Sequence, residues 1–251
     1  MAHNCVATAG LICASTKQNL LRLAAGLALL ELMMGSPIRA EDSAASRASI
    51  HGMVSAGVSA QRAKPLPVFK NRAFCGPTVR DETQLIGAGG GLKNAAVLLR
   101  PIGKISVEPR PLVLDNQRCA FVPHVQIATV GSELLLKNSD PILHTVHARA
   151  GSETLFNVGL PRWRQVVKRL DRAGVIRINC DVLHTWMSAA IVVADTPYFA
   201  LTDEHGNFAI ESVPPGSYEV EVWHERLGRK SARVSVAGDA PISLDVIYAL
   251  Q

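Results

Sequence analysis

Three side chains that bind soft metal ions lie on one short stretch: Cys180, His184 and Met187, spaced Cys-x3-His-x2-Met. A thiolate, an imidazole and a thioether gathered this closely are ligands that copper selects, and a loop of this length can curl all three around one ion. They follow an alternating segment in which Ile176, Ile178 and Cys180 share one face and Arg177 and Asn179 the other. The cysteine is therefore expected to point inward at a strand's end. A further ligand must come from elsewhere, and His144 is the candidate. It opens the second strand of a strand-turn-strand pattern that starts at Val130-Gly131 and passes through Asn138 and Asp140. His147, three residues on, falls on the opposite strand face and reads as a surface or second-site residue. Asn138, Asp140 or Thr145 would brace the ligands from outside, with Trp186 and Phe156 as candidates to keep water away. Two His, a Cys and a weak axial Met fill every position around the ion, which suits electron transfer rather than substrate chemistry. There is no Gly-x-Ser-x-Gly elbow, phosphate loop or His-Glu-x-x-His helix, so a non-enzymatic protein is expected.

The elements that must position these residues read as strands. Residues 50–54, 95–99, 125–130, 134–137, 175–180 and 189–193 are alternating or apolar runs bounded by Gly, Asn, Asp or Pro. Such a series predicts an all-β chain, an antiparallel sandwich or small barrel. A helix is expected only at 163–170. The Pro- and Lys/Arg-rich segments 61–72 and 100–111 read as long loops, and Gly87 to Gly91 as a turn, since no helix of dinucleotide spacing follows. The chain has 251 residues, of which 48% are hydrophobic and 19% charged. This balance excludes disorder and fits one or two globular domains. The net charge of +5 is spread along the chain without a basic run, which excludes nucleic acid as the expected partner.

Lys17 and Arg22, the apolar run 23–30, the break at 35–37 and Ala40 form the pattern of a secretory signal peptide over residues 1–40. The apolar stretch is too short to span a bilayer, so the mature chain is expected in the periplasm, free of the membrane. Cys5 and Cys13 would leave with the signal, and Cys75, Cys119 and Cys180 would remain. An odd count in an oxidising compartment asks for one pair and one thiol held by something else. The simplest arrangement pairs Cys75 with Cys119, although spacing alone does not dictate it. Closing that loop would stabilise the fold by about 4 kcal/mol in the chain-entropy model.

Two resemblances extend this reading. Val130-Gly131-x-x-Leu134-x3-Asn138-x-Asp140-x3-His144, with a Cys/His/Met loop downstream, resembles the cupredoxin family of blue copper proteins over roughly residues 85–195. The resemblance implies a Greek-key β-sandwich holding one copper through His144, Cys180, His184 and Met187, and one-electron exchange with a redox partner protein. Cys-x3-His-x2-Met is also similar to half of the binuclear copper loop of cytochrome c oxidase subunit II, but Ile176 stands where that loop has its second cysteine. A single ion is expected. The second resemblance is Thr202-Asp203-x-x-Gly206-x-Phe208 followed by Pro214-Pro215-Gly216-x-Tyr218, which is similar to the carboxypeptidase regulatory-like, transthyretin-type β-sandwich module.

The expected organisation is a signal at 1–40, a cupredoxin-like domain at 41–195 with an N-terminal extension to about residue 84, and a small β module at 196–251. The tail has too few strands to close a core, so it is expected to pack on the preceding domain or to borrow a strand such as 50–54. The segment from Cys119 to His124 is similar to exported cupredoxin-like proteins associated with methylamine utilisation. His124 reads as structural, with a second metal site as the alternative, and His51 and His224 read as surface residues. Arg162, Arg164, Lys168, Arg169 and Arg172 read as a solvated face, or as steering for an acidic redox partner. A copper carrier and a metal-free binding module remain as alternatives, with oligomeric state left open.

Overall fold

A computed structural model describes residues 46–58 and 63–249, so the signal peptide expected at 1–40 lies outside the described residues. The strands in chain order are β1 (Ala48–Ser55), β2 (Pro65–Pro67), β3 (Thr78–Arg80), β4 (Ala96–Pro101), β5 (Leu112–Gln117), β6 (Ala120–Val122), β7 (Val125–Thr129), β8 (Ser132–Asn138), β9 (His144–Ala150) and β10 (Glu153–Leu160). They continue as β11 (Gln165–Leu170), β12 (Gly174–Asn179), β13 (Ser188–Ala194), β14 (Phe199–Leu201), β15 (Asn207–Val213), β16 (Gly216–His224), β17 (Gly228–Val236), β18 (Ile242–Ser243) and β19 (Val246–Ile247). One α-helical turn, α1 (Arg72–Cys75), lies between β2 and β3. The fold is all-β, as expected.

Four sheets stack around three apolar layers. Sheet β10-β9-β12-β13-β7 faces sheet β11-β8-β5-β6, and their inward side chains, including Leu114, Leu134, Leu136, Val146, Ile178 and Ile191, form the first core. Sheet β14-β4-β16-β17 faces β15-β1-β18, with β19 also on β1, around a second core that includes Ile50, Val97, Leu99, Phe208 and Val220. Between the two sandwiches lies a third layer of Ala96, Leu98, Val125, Ala190, Val192 and Trp223. Strand β13 thus sends Ala189, Ile191 and Val193 into the first core and Ala190, Val192 and Ala194 into the middle layer. Strand β4 divides itself likewise between the middle layer and the second core. Burial on both faces is why residues 95–99 and 189–193 read as unbroken apolar runs instead of alternating ones.

Strands upstream of residue 195 take part in the sheets of the tail. Strand β1 pairs with β15 (Ile50↔Ile210), so the borrowed strand at 50–54 is found where the tail needs it. Strand β4, assigned from sequence to the first domain, also belongs with the tail, pairing with β14 (Leu98↔Phe199) and β16 (Val97↔Val222). A tail that cannot cover its own apolar faces recruits both strands from upstream. The tail motif performs local work in this joint. The Thr202 hydroxyl donates to the Leu92 carbonyl (2.6 Å) and accepts from the Ala95 N–H (2.8 Å). Asp203 accepts from the N–H groups of His205 and Asn207, both at 2.8 Å. A Cβ on Gly91 would lie 1.8 Å from the carbonyl oxygen of His205, so the glycine-rich turn is there to let two backbones touch.

The helix expected at 163–170 is not present. Trp163 takes a positive φ of 63° in a turn, and Gln165–Leu170 forms strand β11 on β8. The β-branched Val166 and Val167 and the alternating burial of this edge strand favour extended backbone over the helical spacing of its basic residues.

His124 and His224 sit at the junction of the sandwiches. His224 is 1% exposed, which overturns its surface reading, and burial pushes its pKa down to about 4. His124 is also buried, and its Nε2 lies 2.5 Å from Glu225 Oε2. Burial pushes the His124 pKa down, but the hydrogen bond and charge of Glu225, with the charge of Glu82 and a backbone hydrogen bond with Ser188, together more than offset it, so the net shift is upward from 6.5. A base held above its unfolded value contributes fully below about pH 6.5 and loses that contribution as pH rises through the folded pKa. The His124 contribution to the stability of the metal-free protein is therefore expected to fall on going from about pH 6 to about pH 9, against the rising contributions of His184, His224 and Cys180, whose pKa values are lowered. Glu225→Gln should flatten that slope in a calorimetric pH series.

Candidate metal centre

Strand β9 begins with His144 after a turn that Asn138 organises. Its Nδ2 donates to the carbonyls of Ile142 (2.8 Å) and Leu160 (2.7 Å), and its Oδ1 accepts from the Asp140 N–H (3.0 Å). Asp140, 2% exposed, accepts from the N–H groups of Arg118 (2.6 Å) and Cys119 (2.8 Å) and from His144 Nε2 (3.0 Å). The proton on Nε2 leaves the Nδ1 lone pair of His144 facing inward. His184 is arranged the same way, with Nε2 2.9 Å from Asn71 Oδ1.

Three donor atoms converge. The Nδ1 atoms of His144 and His184 are 3.1 Å apart, and Cys180 Sγ lies 3.9 Å from the first and 3.6 Å from the second. All three residues are buried, His144 at 0%, Cys180 at 5% and His184 at 1% exposure. Two inward lone pairs at this distance repel unless a proton or a cation stands between them. Donor separations of 3.1, 3.6 and 3.9 Å would let one ion be held by all three atoms. The residues fit a His2Cys metal site.

Electrostatics prepare the donors. Burial pushes the Cys180 thiol pKa up, but its hydrogen bond with His144 and those from the N–H groups of Thr145 and Val182 and from the Thr145 hydroxyl together outweigh it, and the net shift is downward, toward thiolate. The Thr145 N–H donates to Sγ at 3.4 Å, and the Thr145 hydroxyl lies 3.8 Å from Sγ while accepting from the Asp181 N–H at 2.7 Å. Burial and the neighbouring His144 push His184 down to about 4, leaving it neutral and free to coordinate at neutral pH. Burial is the largest single influence on His144 and Asp140 and opposes charge on both, but their mutual hydrogen bond, together with Cys180 beside His144 and the Cys119 and Arg118 N–H groups on Asp140, outweighs it, raising the first and lowering the second.

The expected residues divide as follows. His144, Cys180 and His184 come together from β9 and from the loop between β12 and β13. Met187 ends that loop, its side chain 2% exposed in the first core and its N–H donating to the His184 carbonyl at 2.9 Å. Asn138, Asp140 and Thr145 all act on the centre. The Trp186 ring packs 5.1 Å from that of His184 and its Nε1 donates to the Cys119 carbonyl at 3.0 Å. Phe156 instead lies beneath Lys168, 5.5 Å from the ammonium. His147 faces outward, between Asp181 Oδ2 (2.8 Å) and Thr154 Oγ1 (2.9 Å).

Cys75 and Cys119 form the disulfide, leaving Cys180 as the free thiol among the described residues. Cys119, Asp140 and His144 also converge, but the Cys119 sulfur is committed to Cys75. Asn71 was missed from sequence. It lies 113 residues from His184, in a segment read as a long loop, and its one sequence signal is its nearness to Cys75.

No family model matches the sequence, and no curated protein is detectably similar to it. Solved structures similar to part of the chain include a purple cupredoxin from Nitrosopumilus maritimus, at 18% identity over 34% of this chain and 98% of that one, with a TM-score of 0.30. A reduced amicyanin variant is 18% identical over 40% of this chain and 99% of its own, with a TM-score of 0.30. A copper-containing nitrite reductase from Thermus scotoductus is 20% identical over 38% of this chain, with a TM-score of 0.32, and the chain spans only 25% of that enzyme. These neighbours are cupredoxins or copper enzymes.

Proposed function

We propose that the chain binds one copper ion that would be held by His144, Cys180, His184 and Met187, and serves as a one-electron carrier outside the cytoplasm. The observation that carries this reading is the convergence of two buried Nδ1 atoms and one buried Sγ, with both outer imidazole nitrogens tied to acceptors. Copper in such a set would accept and return a single electron with little movement of its ligands. The chain's own residues hold that geometry. Asp140 orients one imidazole, Asn71 the other, and the Thr145 N–H steadies the sulfur.

Burial of all three donors favours electron exchange over substrate binding, since a catalytic ion keeps an open position. The Cys75–Cys119 disulfide supports an oxidising compartment such as the periplasm, with a redox protein there as partner. Copper titration followed by visible spectroscopy tests the reading. An intense thiolate-to-copper band saturating at one equivalent, with a reversible voltammetric wave, is the expected result. A spectrum unchanged by copper overturns it.

A further inference from the structure

We infer that Asn71 is a positioning residue of the metal centre: carried on a disulfide-pinned strap, it holds His184 with Nδ1 turned toward Cys180 and His144. The inference rests on the reading of the centre proposed above and adds to it a residue 113 positions away in sequence.

The strap spans residues 65–80. Strand β2 pairs with β3 from Pro65↔Arg80 to Pro67↔Thr78, the Val68 N–H donates to the Pro77 carbonyl at 3.0 Å, and Val68 is buried in the first core. At its tip Asn71 has φ 57°, a left-handed conformation that Asn tolerates better than most residues. The Asn71 carbonyl accepts from the N–H groups of Phe74 and Cys75, both at 2.9 Å, so the turn that presents its side chain ends at the disulfide. Across that bond, the Cys119 N–H donates to Asp140, which holds His144. One covalent bridge therefore joins the outer partners of both histidines.

The physical role follows from the symmetry of imidazole. A half-turn of the ring about Cβ–Cγ exchanges Nδ1 with a carbon and Nε2 with another carbon, at almost no steric cost. Only one of the two orientations offers a lone pair to the ion, and a fixed acceptor opposite Nε2 selects it and its tautomer. Asn71 Oδ1 is that acceptor, and His184 is 1% exposed with Asn71 in place.

Asn71→Gly removes the acceptor while keeping the left-handed backbone, and Asn71→Asp retains an acceptor. In the metal-free protein, long-range proton–nitrogen NMR should find His184 in the single Nε2–H tautomer for wild type and Asn71→Asp, and in a mixture for Asn71→Gly. After copper loading, Asn71→Gly should release the ion to a chelator about 10- to 100-fold faster than wild type, with Asn71→Asp recovering most of the difference. A loaded Asn71→Gly that releases copper at the wild-type rate, with His184 still in one tautomer, overturns this inference alone. A wild-type chain that takes up no copper overturns the reading of the centre beneath it.

Discussion

Replacing Cys180 by serine is expected to abolish the visible band of the copper-loaded protein completely while leaving the fold intact. Cys180 Sγ is the sulfur among the three converging donors, and the visible transition of a His2Cys copper site requires a thiolate. A serine hydroxyl stays protonated at neutral pH, is a hard ligand, and would leave two imidazoles to hold the ion. The metal-free variant should fold because serine can be satisfied in place: the Thr145 N–H and the Nδ1 atoms of His144 and His184 surround the position at 3.4 to 3.9 Å. The net change in stability is on the order of 1 kcal/mol, the scale of one exchanged hydrogen bond. Titration by absorbance, beside a thermal melt of the metal-free protein, separates the two effects. A Cys180→Ser protein that keeps the band removes the thiolate from the proposal. Met187→Leu should shift the band or the potential rather than erase either, as loss of a weak axial ligand would.

Deleting residues 196–251 is expected to eliminate cooperative folding of what remains, not merely to lower its melting temperature. Every strand partner of β1 (β15, β18 and β19) and of β4 (β14 and β16) lies in the deleted segment. The deletion would bare Ile50, Val97, Leu98 and Leu99, each fully buried, together with Val192 on the outer face of β13. Exposing side chains of this size costs roughly 1.5–3 kcal/mol each, and five of them approach the 5–15 kcal/mol that stabilises a typical domain. Circular dichroism and calorimetry of the truncated chain should show no sharp transition, and a melt matching that of the full chain would show that the first sandwich stands alone. The disulfide, with its half-cystines 44 residues apart, restrains only residues 75–119 and cannot replace the lost sheets.

Local pattern singled out the three donor residues that converge because each is marked by its neighbours. The alternation Ile176, Ile178, Cys180 gives the cysteine its inward direction, and the same period of two sends His144 inward and His147 outward. Asn138, Asp140 and Thr145 were identifiable because residues flanking a ligand are the ones able to reach its outer atoms. Phe156 failed by the same logic, since its place depends on the pairing of β10 with β9 and not on adjacency to a ligand. His224 failed because a strand-end position reads as exposed until a second sandwich covers it.

Spacings of a few residues were enough to give the β character, the soft-donor loop, the inward faces of the strands that carry it and the cysteines available for pairing. Tertiary structure alone decided which core β4 joins, where Asn71 lands and how the disulfide links the outer partners of both histidines. A strand buried on both faces has no alternation to say which neighbour it serves, and a hydrogen bond between residues 71 and 184 leaves no periodic trace along the chain.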